Sequence, residues 1–225
     1  TNALTLSGTG YGGIGALINS SMTPATYAGL ITMGSAALIM GDAGTIAITN
    51  VGSITGTAGY GLTLGGAAGG SMATIFADTA GSLTKQDAGT WTLSGVNTYG
   101  ATTTVSGGTL VVGGAGSLGS SASYSPSLTV STGASFTYSS SANQTLLDLR
   151  GAGTINLNGA GTVTISGDHP FTGTLNVSQT VNVKGGSGGT YASTTTGLGR
   201  TTLIDIKNGG TLVAAGDTTT TSQNT

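Results

Sequence analysis

Short apolar pairs recur along the chain at a nearly constant spacing. In each pair two apolar residues flank one other residue, usually small and polar, and Gly, Asn, Ser or Asp follows within a few positions. This alternation is typical of a short strand with one buried face that ends in a turn. The pairs are Leu4/Leu6, Leu38/Met40, Ile46/Ile48, Leu62/Leu64, Trp91/Leu93, Leu110/Val112, Leu128/Val130, Phe136/Tyr138, Ile155/Leu157, Val163/Ile165, Leu175/Val177 and Val181/Val183.

The spacing of these pairs predicts how the strands stack. One evenly spaced series passes through Trp91, Leu110, Leu128, Leu146, Val163 and Val181, and a second passes through Leu118, Phe136, Ile155 and Leu175. Both series share a period of about 18 residues, which indicates coils that each cover the previous one. We therefore expect an all-β, right-handed parallel β-solenoid (a β-helix) with about 16–20 residues per coil and about 12 coils.

A direct internal repeat supports this winding. The segment "AGTWTLSG" at Ala88–Gly95 recurs as "AGTVTISG" at Ala160–Gly167, a displacement of four such periods. We expect one β-solenoid repeat domain over residues 1–225, because no linker interrupts the pattern. The spacing loosens at 19–26 and 185–200, which we interpret as possible loops.

Composition excludes several classes of protein. Charged residues are 5% of the chain and Glu is absent, so the usual surface residues of helices are missing. Hydrophobic residues make up 37%, which argues against disorder, and the net charge of −2 provides no footprint for nucleic acid or an anionic membrane surface. There is no cysteine, which excludes disulfides, and no apolar run long enough for a membrane-spanning segment. The chain opens inside a strand pattern, so an exported protein would be a processed piece of something longer.

Residues 81–119 carry a more specific pattern, "GSLTKQDAGTWTLSGVNTYGATTTVSGGTLVVGGAGSLG". This stretch resembles the autotransporter-associated β-strand repeat, also called the passenger-associated transport repeat, whose pattern runs LTK-x-G-x-GTLTLSG-x-NTY-x-G-x-T-x-V-x-GTL. Asp87 stands where Gly is usual, Trp91 replaces Leu, and the usual Thr after Tyr99 is missing. The resemblance implies a β-helical passenger region at the bacterial cell surface or secreted, and it implies no catalytic residues.

The segment "SGDHPFTG" at Ser166–Gly173 combines an Asp with the only His of the chain, as a catalytic or metal site would. The same four-period displacement aligns it with "SGVNTYGA", which places His169 on Asn97 and Phe171 on Tyr99. We therefore interpret His169 as a turn residue after a strand.

An enzyme remains the alternative, because Asp148 and Asp168 could stack on neighbouring coils beside Arg150 and His169. Paired carboxylates of this kind serve glycoside hydrolysis. Strand alternation instead makes Asp148 and Arg150 outward neighbours, so a surface ion pair is the simpler interpretation. We expect no catalytic residues.

Other sites are also not expected. The sequence has no Asp-x-Asp calcium loop and no paired His spacing, so we expect no metal and no cofactor. The outward residues Thr5, Thr63, Thr92 and Thr164 do not form regular pairs coil after coil, which argues against an ice-binding surface. Trp91 is expected in the core.

The sequence thus predicts a non-enzymatic, extracellular structural β-solenoid, a surface stalk, adhesin or fibre-forming subunit that assembles end to end. The alternatives are an adhesin module that binds glycans or proteins and a polysaccharide-active enzyme. Expected partners are other copies of the chain, or surface glycans and proteins, with no nucleic acid.

Overall fold

A computed structural model of the chain describes residues 2–56, 59–119, 123–167, 169–184, 203–207 and 209–214. These residues form 24 short strands and a single 3-10 turn, η1 (Tyr11–Gly13). All strand pairs are parallel, and the chain winds into a β-solenoid of about eight turns. The predicted fold class is therefore confirmed.

The chain visits three sides of the solenoid in a repeating order, so we name the sides face 1, face 2 and face 3. Face 1 is an eight-stranded sheet. Its first two strands, β1 and β2, both pair with the long strand β4. Its strands are β1 (Leu4–Gly8), β2 (Leu17–Asn19), β4 (Ile31–Gly41), β7 (Leu62–Gly65), β10 (Leu83–Lys85), β12 (Thr103–Val105), β15 (Leu128–Val130) and β18 (Leu149–Gly151).

Face 2 is the most continuous sheet, with nine strands in one unbroken order. They are β3 (Ala25–Tyr27), β5 (Ile46–Ile48), β8 (Gly69–Met72), β11 (Thr90–Leu93), β13 (Thr109–Val112), β16 (Ser135–Tyr138), β19 (Thr154–Leu157), β21 (Thr174–Val177) and β23 (Leu203–Ile206).

Face 3 consists of two shorter sheets that follow face 2 in chain order. The first pairs β6 (Ser53–Ile54) with β9 (Ile75–Phe76), and an isolated bridge between Val96 and Ser117 follows. The second contains β14 (Ser123–Tyr124), β17 (Gln144–Leu146), β20 (Val163–Ser166), β22 (Thr180–Lys184) and β24 (Thr211–Ala214).

Coil lengths vary more than the sequence predicts. Val163 pairs with Val181, a shift within the predicted range, whereas Thr103 pairs with Leu128, a shift well beyond it. The evenly spaced series in the sequence does not follow one face of the solenoid. Its members Trp91, Leu128 and Leu146 lie on faces 2, 1 and 3, so their spacing is not the length of a coil. Corners of unequal length therefore give about eight turns instead of the larger number expected.

The interior is a set of aliphatic and aromatic columns, one side chain above another in successive coils. On face 2 the column Leu110, Phe136, Ile155, Leu175 is fully buried and follows the strand register. Parallel strands about 4.8 Å apart bring such side chains into contact, so each coil covers the core of its neighbour.

Trp91 lies in this core, as expected, and its size is accommodated by a glycine. Gly70 is its register partner on the preceding coil, and a Cβ atom added there would lie 3.0 Å from the indole ring. The indole N–H donates to the carbonyl oxygen of Gly65 at 2.9 Å. The missing side chain at Gly70 therefore makes room for the only Trp of the chain.

Of the two expected loops, one can be described. Residues 20–24 connect β2 and β3, and the buried side chain of Asn19 holds them in place. Its amide nitrogen donates to the carbonyl oxygens of Thr23 and Thr45, and its Oδ1 accepts the N–H of Ser21. The expected loop at 185–200 lies outside the described residues.

Candidate functional site

Asp148 and Arg150 form the surface ion pair that strand alternation predicts. Arg150 Nε donates to Asp148 Oδ2 at 2.8 Å, and the Arg side chain is 55% exposed. Leu149 between them is buried. An exposed pair of this kind contributes at most about 1 kcal/mol to stability.

His169 is buried, with 1% of its surface exposed, and so does not share an outer face with the Asp148–Arg150 pair. Its Nδ1 accepts the backbone N–H of Leu149 at 2.9 Å, one coil earlier. Asp168, the second carboxylate of the enzyme alternative, lies outside the described residues. The described part of the site therefore contains a half-buried carboxylate that pairs with Arg150 and a buried imidazole that accepts a backbone N–H.

Asn97, the repeat counterpart of His169, makes the same contact. It is fully buried, and its Oδ1 accepts the backbone N–H of Phe76 at 2.9 Å. Its amide nitrogen donates to the carbonyl oxygens of Ser117 and Gly95, at 2.9 and 3.0 Å. Both residues satisfy backbone groups that a corner would otherwise leave buried and unpaired.

The same kind of contact, a buried side-chain oxygen that accepts a backbone N–H, occurs at other positions, and the sequence did not predict it. A buried Asp or Gln side chain accepts a backbone N–H from a different coil: Asp78 from Tyr60 at 2.8 Å, Gln144 from Leu118 at 2.9 Å, and Gln179 from Gly159. The available signal was a single Asn, Asp or Gln close to some of the apolar pairs.

Lys85 is an unexpected inward side chain. The alternation of "LTK" places it on the same side as Leu83, and it is fully buried. Its ammonium donates to three carbonyl oxygens, those of Gln86 at 2.6 Å, Asp87 at 2.8 Å and Gly107 at 3.0 Å. Burial lowers the pKa of Lys85 to about 8, and the charge of Asp87 opposes that shift.

The backbone conformation at Asp87 shows why the repeat pattern usually has Gly at this position. Its φ is 61°, and no other described non-glycine residue has a positive φ. Gly adopts this left-handed conformation freely, whereas Asp tolerates it better than most residues. The carboxylate also accepts the N–H of Gly66 on the preceding coil at 2.8 Å.

Two buried tyrosines share one threonine hydroxyl. Thr103 Oγ1 lies 2.6 Å from the hydroxyl of Tyr99 and 2.8 Å from that of Tyr124. The ring of Tyr99 stacks on Phe76 with centroids 5.3 Å apart. Burial raises the pKa of Tyr124 to about 12 and that of Tyr99 well above its ordinary value. These hydroxyls therefore stay neutral and act as internal hydrogen-bonding groups.

The outward threonines are more regular than the sequence suggested. Thr5 and Thr63 lie on face 1, Thr92 on face 2 and Thr164 on face 3. The register places a different set in one column of face 1 over four coils: Thr63, Thr84, Thr104 and Thr129. Unequal coil lengths hid this threonine column in the sequence.

The described residues contain no cluster of side chains that could form a metal centre. Within the described residues, no three His or Asp side chains lie together in a way that could hold a metal ion. A shallow groove of about 310 Å³ on face 2 is lined by residues such as Ala47, Ser71 and Thr90, none of them titratable. Across the same residues, no helix is long and apolar enough to cross a membrane.

Comparison with known proteins identifies the repeat. The profile of the passenger-associated-transport-repeat matches residues 83–112 and 155–179. The first match covers most of the resemblance seen at 81–119, and the second contains His169. No curated protein and no solved structure matches the chain. The chain is a β-solenoid that carries the passenger-associated transport repeat, and this combination fits a passenger β-helix of an autotransporter.

Proposed function

We propose that the chain is a non-enzymatic structural rod of an autotransporter passenger, at the bacterial surface or secreted, and that it stacks end to end with other copies of itself. The repeat and the β-solenoid support the passenger role, because such repeats suggest a surface or secreted location. The end-to-end contact rests on where the apolar side chains lie.

The observation that carries the proposal is the position of the exposed large apolar residues. In the described part of the chain they concentrate towards the two ends, between Tyr11 and Leu30 and between Leu203 and Val213, with Val51 and Val96 alone between those ends. The terminal ones are Tyr11, Ile14, Met22, Leu30, Leu203, Ile204, Ile206 and Val213. The rod thus has a polar wall and apolar ends, and apolar patches of this kind mark contact surfaces.

The strand edges favour a second copy as the partner. Among the described strands of face 2, β3 and β23 lie at the two edges, and all strands between them run parallel. Ile204 and Ile206 continue the inward columns of Leu175 and Val177, so a further coil would cover them. Contact between opposite ends is heterologous and does not close, which generates a filament.

Charged side chains introduced at one end of the chain test this contact. We expect the wild-type chain to form longer particles as its concentration rises, measured by sedimentation velocity and electron microscopy. The double variant Ile204→Lys/Ile206→Lys should remain monomeric, because charged side chains cannot be buried at the junction. Val96→Lys is the matched control, since Val96 is 53% exposed on the wall. Dispersed wild-type monomers at high concentration, or equal inhibition by Val96→Lys, would contradict the proposal.

A glycan-binding adhesin module is the second candidate, and the threonine column of face 1 favours it. The column has no charged member and presents four hydroxyl groups at the strand spacing of about 4.8 Å. A glycan array should then show binding by the wild-type chain that Thr104→Lys abolishes and Thr92→Lys on face 2 does not. An array without any signal would remove this candidate.

The non-enzymatic part of the proposal has its own test. The chain is incubated with neutral and acidic polysaccharides, and new reducing ends or unsaturated products are measured. We expect no turnover. Turnover that disappears in Asp148→Asn would overturn the assignment.

A further inference from the structure

One buried side chain of the described chain has an ordinary pKa close to neutrality and has no part in the proposed function. This is His169, whose reference pKa as a free side chain is about 6.5. Its Nδ1 accepts the N–H of Leu149 at 2.9 Å, so the neutral ring carries its proton on Nε2. The contact joins the turn after β20 to the first residue of β18 on the preceding coil.

We propose that the His169–Leu149 contact is an acid-sensitive link between two coils, which opens when Nδ1 is protonated. A protonated imidazole has two N–H donors and no acceptor. The Leu149 N–H would then face another donor in a buried site, and both groups would lose their hydrogen bond. The ring must then turn away from the Leu149 N–H, which breaks this link between the two coils.

The charged residues on the described strands next to this contact lie on β18 and β22. Asp148 and Arg150 flank Leu149 on the side of β18, and they pair with each other at 2.8 Å. Lys184 lies at the end of β22, where its backbone carbonyl oxygen accepts the N–H of Gly167. Asp168 precedes the ring in sequence and lies outside the described residues.

The chain contains its own control for this chemistry. Asn97 makes the equivalent contact, since its Oδ1 accepts the N–H of Phe76 at the same 2.9 Å. An amide side chain does not titrate in this range, so the Phe76 contact should not respond to acid. The variant His169→Asn places the same group at the second site.

Amide hydrogen exchange at single-residue resolution tests the proposal, with rates corrected for the intrinsic effect of pH. Between pH 7.5 and pH 5.5 we expect the protection of Leu149 to fall by up to about tenfold relative to that of Phe76, because one imidazole with a reference pKa of about 6.5 sets this limit. In His169→Asn the ratio of the two protection factors should stay constant with pH.

A wild-type ratio that does not change between these pH values would overturn the proposal. So would an equal fall in His169→Asn, because another group would then be responsible. Should that variant not fold, the comparison of Leu149 with Phe76 within the wild-type chain still decides the question. The end-to-end proposal is independent, since sedimentation at pH 7.5 tests it without protonation of His169.

Discussion

Asn97 and His169, which occupy equivalent positions in two copies of the repeat, each accept one backbone N–H from the preceding coil at 2.9 Å. The strands that lead to them lie on different sides, because β11 belongs to face 2 and β20 to face 3. The second copy of the repeat is therefore displaced by three turns and one face. What recurs is a strand followed by a turn with a buried acceptor, and either face can hold it.

Removal of the Asn97 side chain should destabilise the chain strongly. Asn97→Ala leaves the N–H of Phe76 without its acceptor in the interior and removes one of the two N–H donors to the carbonyl oxygen of Ser117. We expect a loss of about 3 kcal/mol in the free energy of unfolding, measured with urea. Asn143→Ala removes an exposed Asn that accepts the N–H of Thr162, and it should cost under about 1 kcal/mol. Equal losses in the two variants would show that burial of Asn97 is unimportant.

Stability should rise between pH 8 and pH 10 because of Lys85. Burial lowers its pKa from 10.5 to about 8 in the folded chain, so in this range the unfolded chain holds a proton that the folded chain has released. The free energy of unfolding then increases with pH, by about 2 kcal/mol in total. Above pH 10 it should fall again, because the raised pKa values of Tyr99 and Tyr124 reverse the sign.

Variants at two lysines check the origin of this rise. Lys85→Met removes the titrating group and should give a flat profile between pH 8 and pH 10. Lys207→Met is the control, because that side chain is 52% exposed, and the rise should remain. Urea unfolding at several pH values measures both, and a rise that persists in Lys85→Met would disprove the assignment.

Gly70→Ala should be among the most damaging small substitutions. The new Cβ atom would lie 2.2 Å from the carbonyl oxygen of Ile46 and 3.0 Å from the Trp91 ring. We expect a loss of about 3 kcal/mol, since both neighbours are fixed by packing. Ser71→Ala, at the next and exposed position, should change stability by less than about 0.5 kcal/mol. Normal stability of Gly70→Ala would mean that the coils are less tightly packed there.

Substitutions of Asp87 should follow backbone preference. Asp87→Gly loses the carboxylate contact with Gly66 but relieves the left-handed φ of 61°, so the two effects nearly offset each other, within about 1 kcal/mol. Asp87→Val loses the contact and keeps the strain, which should cost about 2–3 kcal/mol. Thermal unfolding ranks the variants, and equal melting temperatures for the Gly and Val variants would contradict this explanation.

The fold class could be predicted from the sequence because alternation of apolar residues fixes which side of each strand is buried. Pairs such as Leu128/Val130 are fully buried as predicted. The same argument applied to "LTK" would have placed Lys85 inside, but a charged residue is normally assigned to the surface. Its three carbonyl partners come from corner geometry, which alternation does not encode.

The stacking register could not be predicted in the same way. Corners differ in length, so the partner of Thr129 on the preceding coil is Thr104, where a constant period would indicate Val111 instead. The threonine column and the buried contact of His169 depend on that register. Sequence alignment found the equivalence of His169 and Asn97, but only the register shows which N–H each accepts.

Disulfide formation between engineered cysteines measures this register most directly, in a chain that has no cysteine of its own. In-register residues of adjacent parallel strands lie about 4.8 Å apart, within the range that a disulfide spans. We predict that Thr104→Cys/Thr129→Cys oxidises rapidly and completely in the folded monomer. Val111→Cys/Thr129→Cys, with its residues on faces 2 and 1, should stay reduced. Rapid coupling of the second pair and none of the first would contradict the three-faced winding described above.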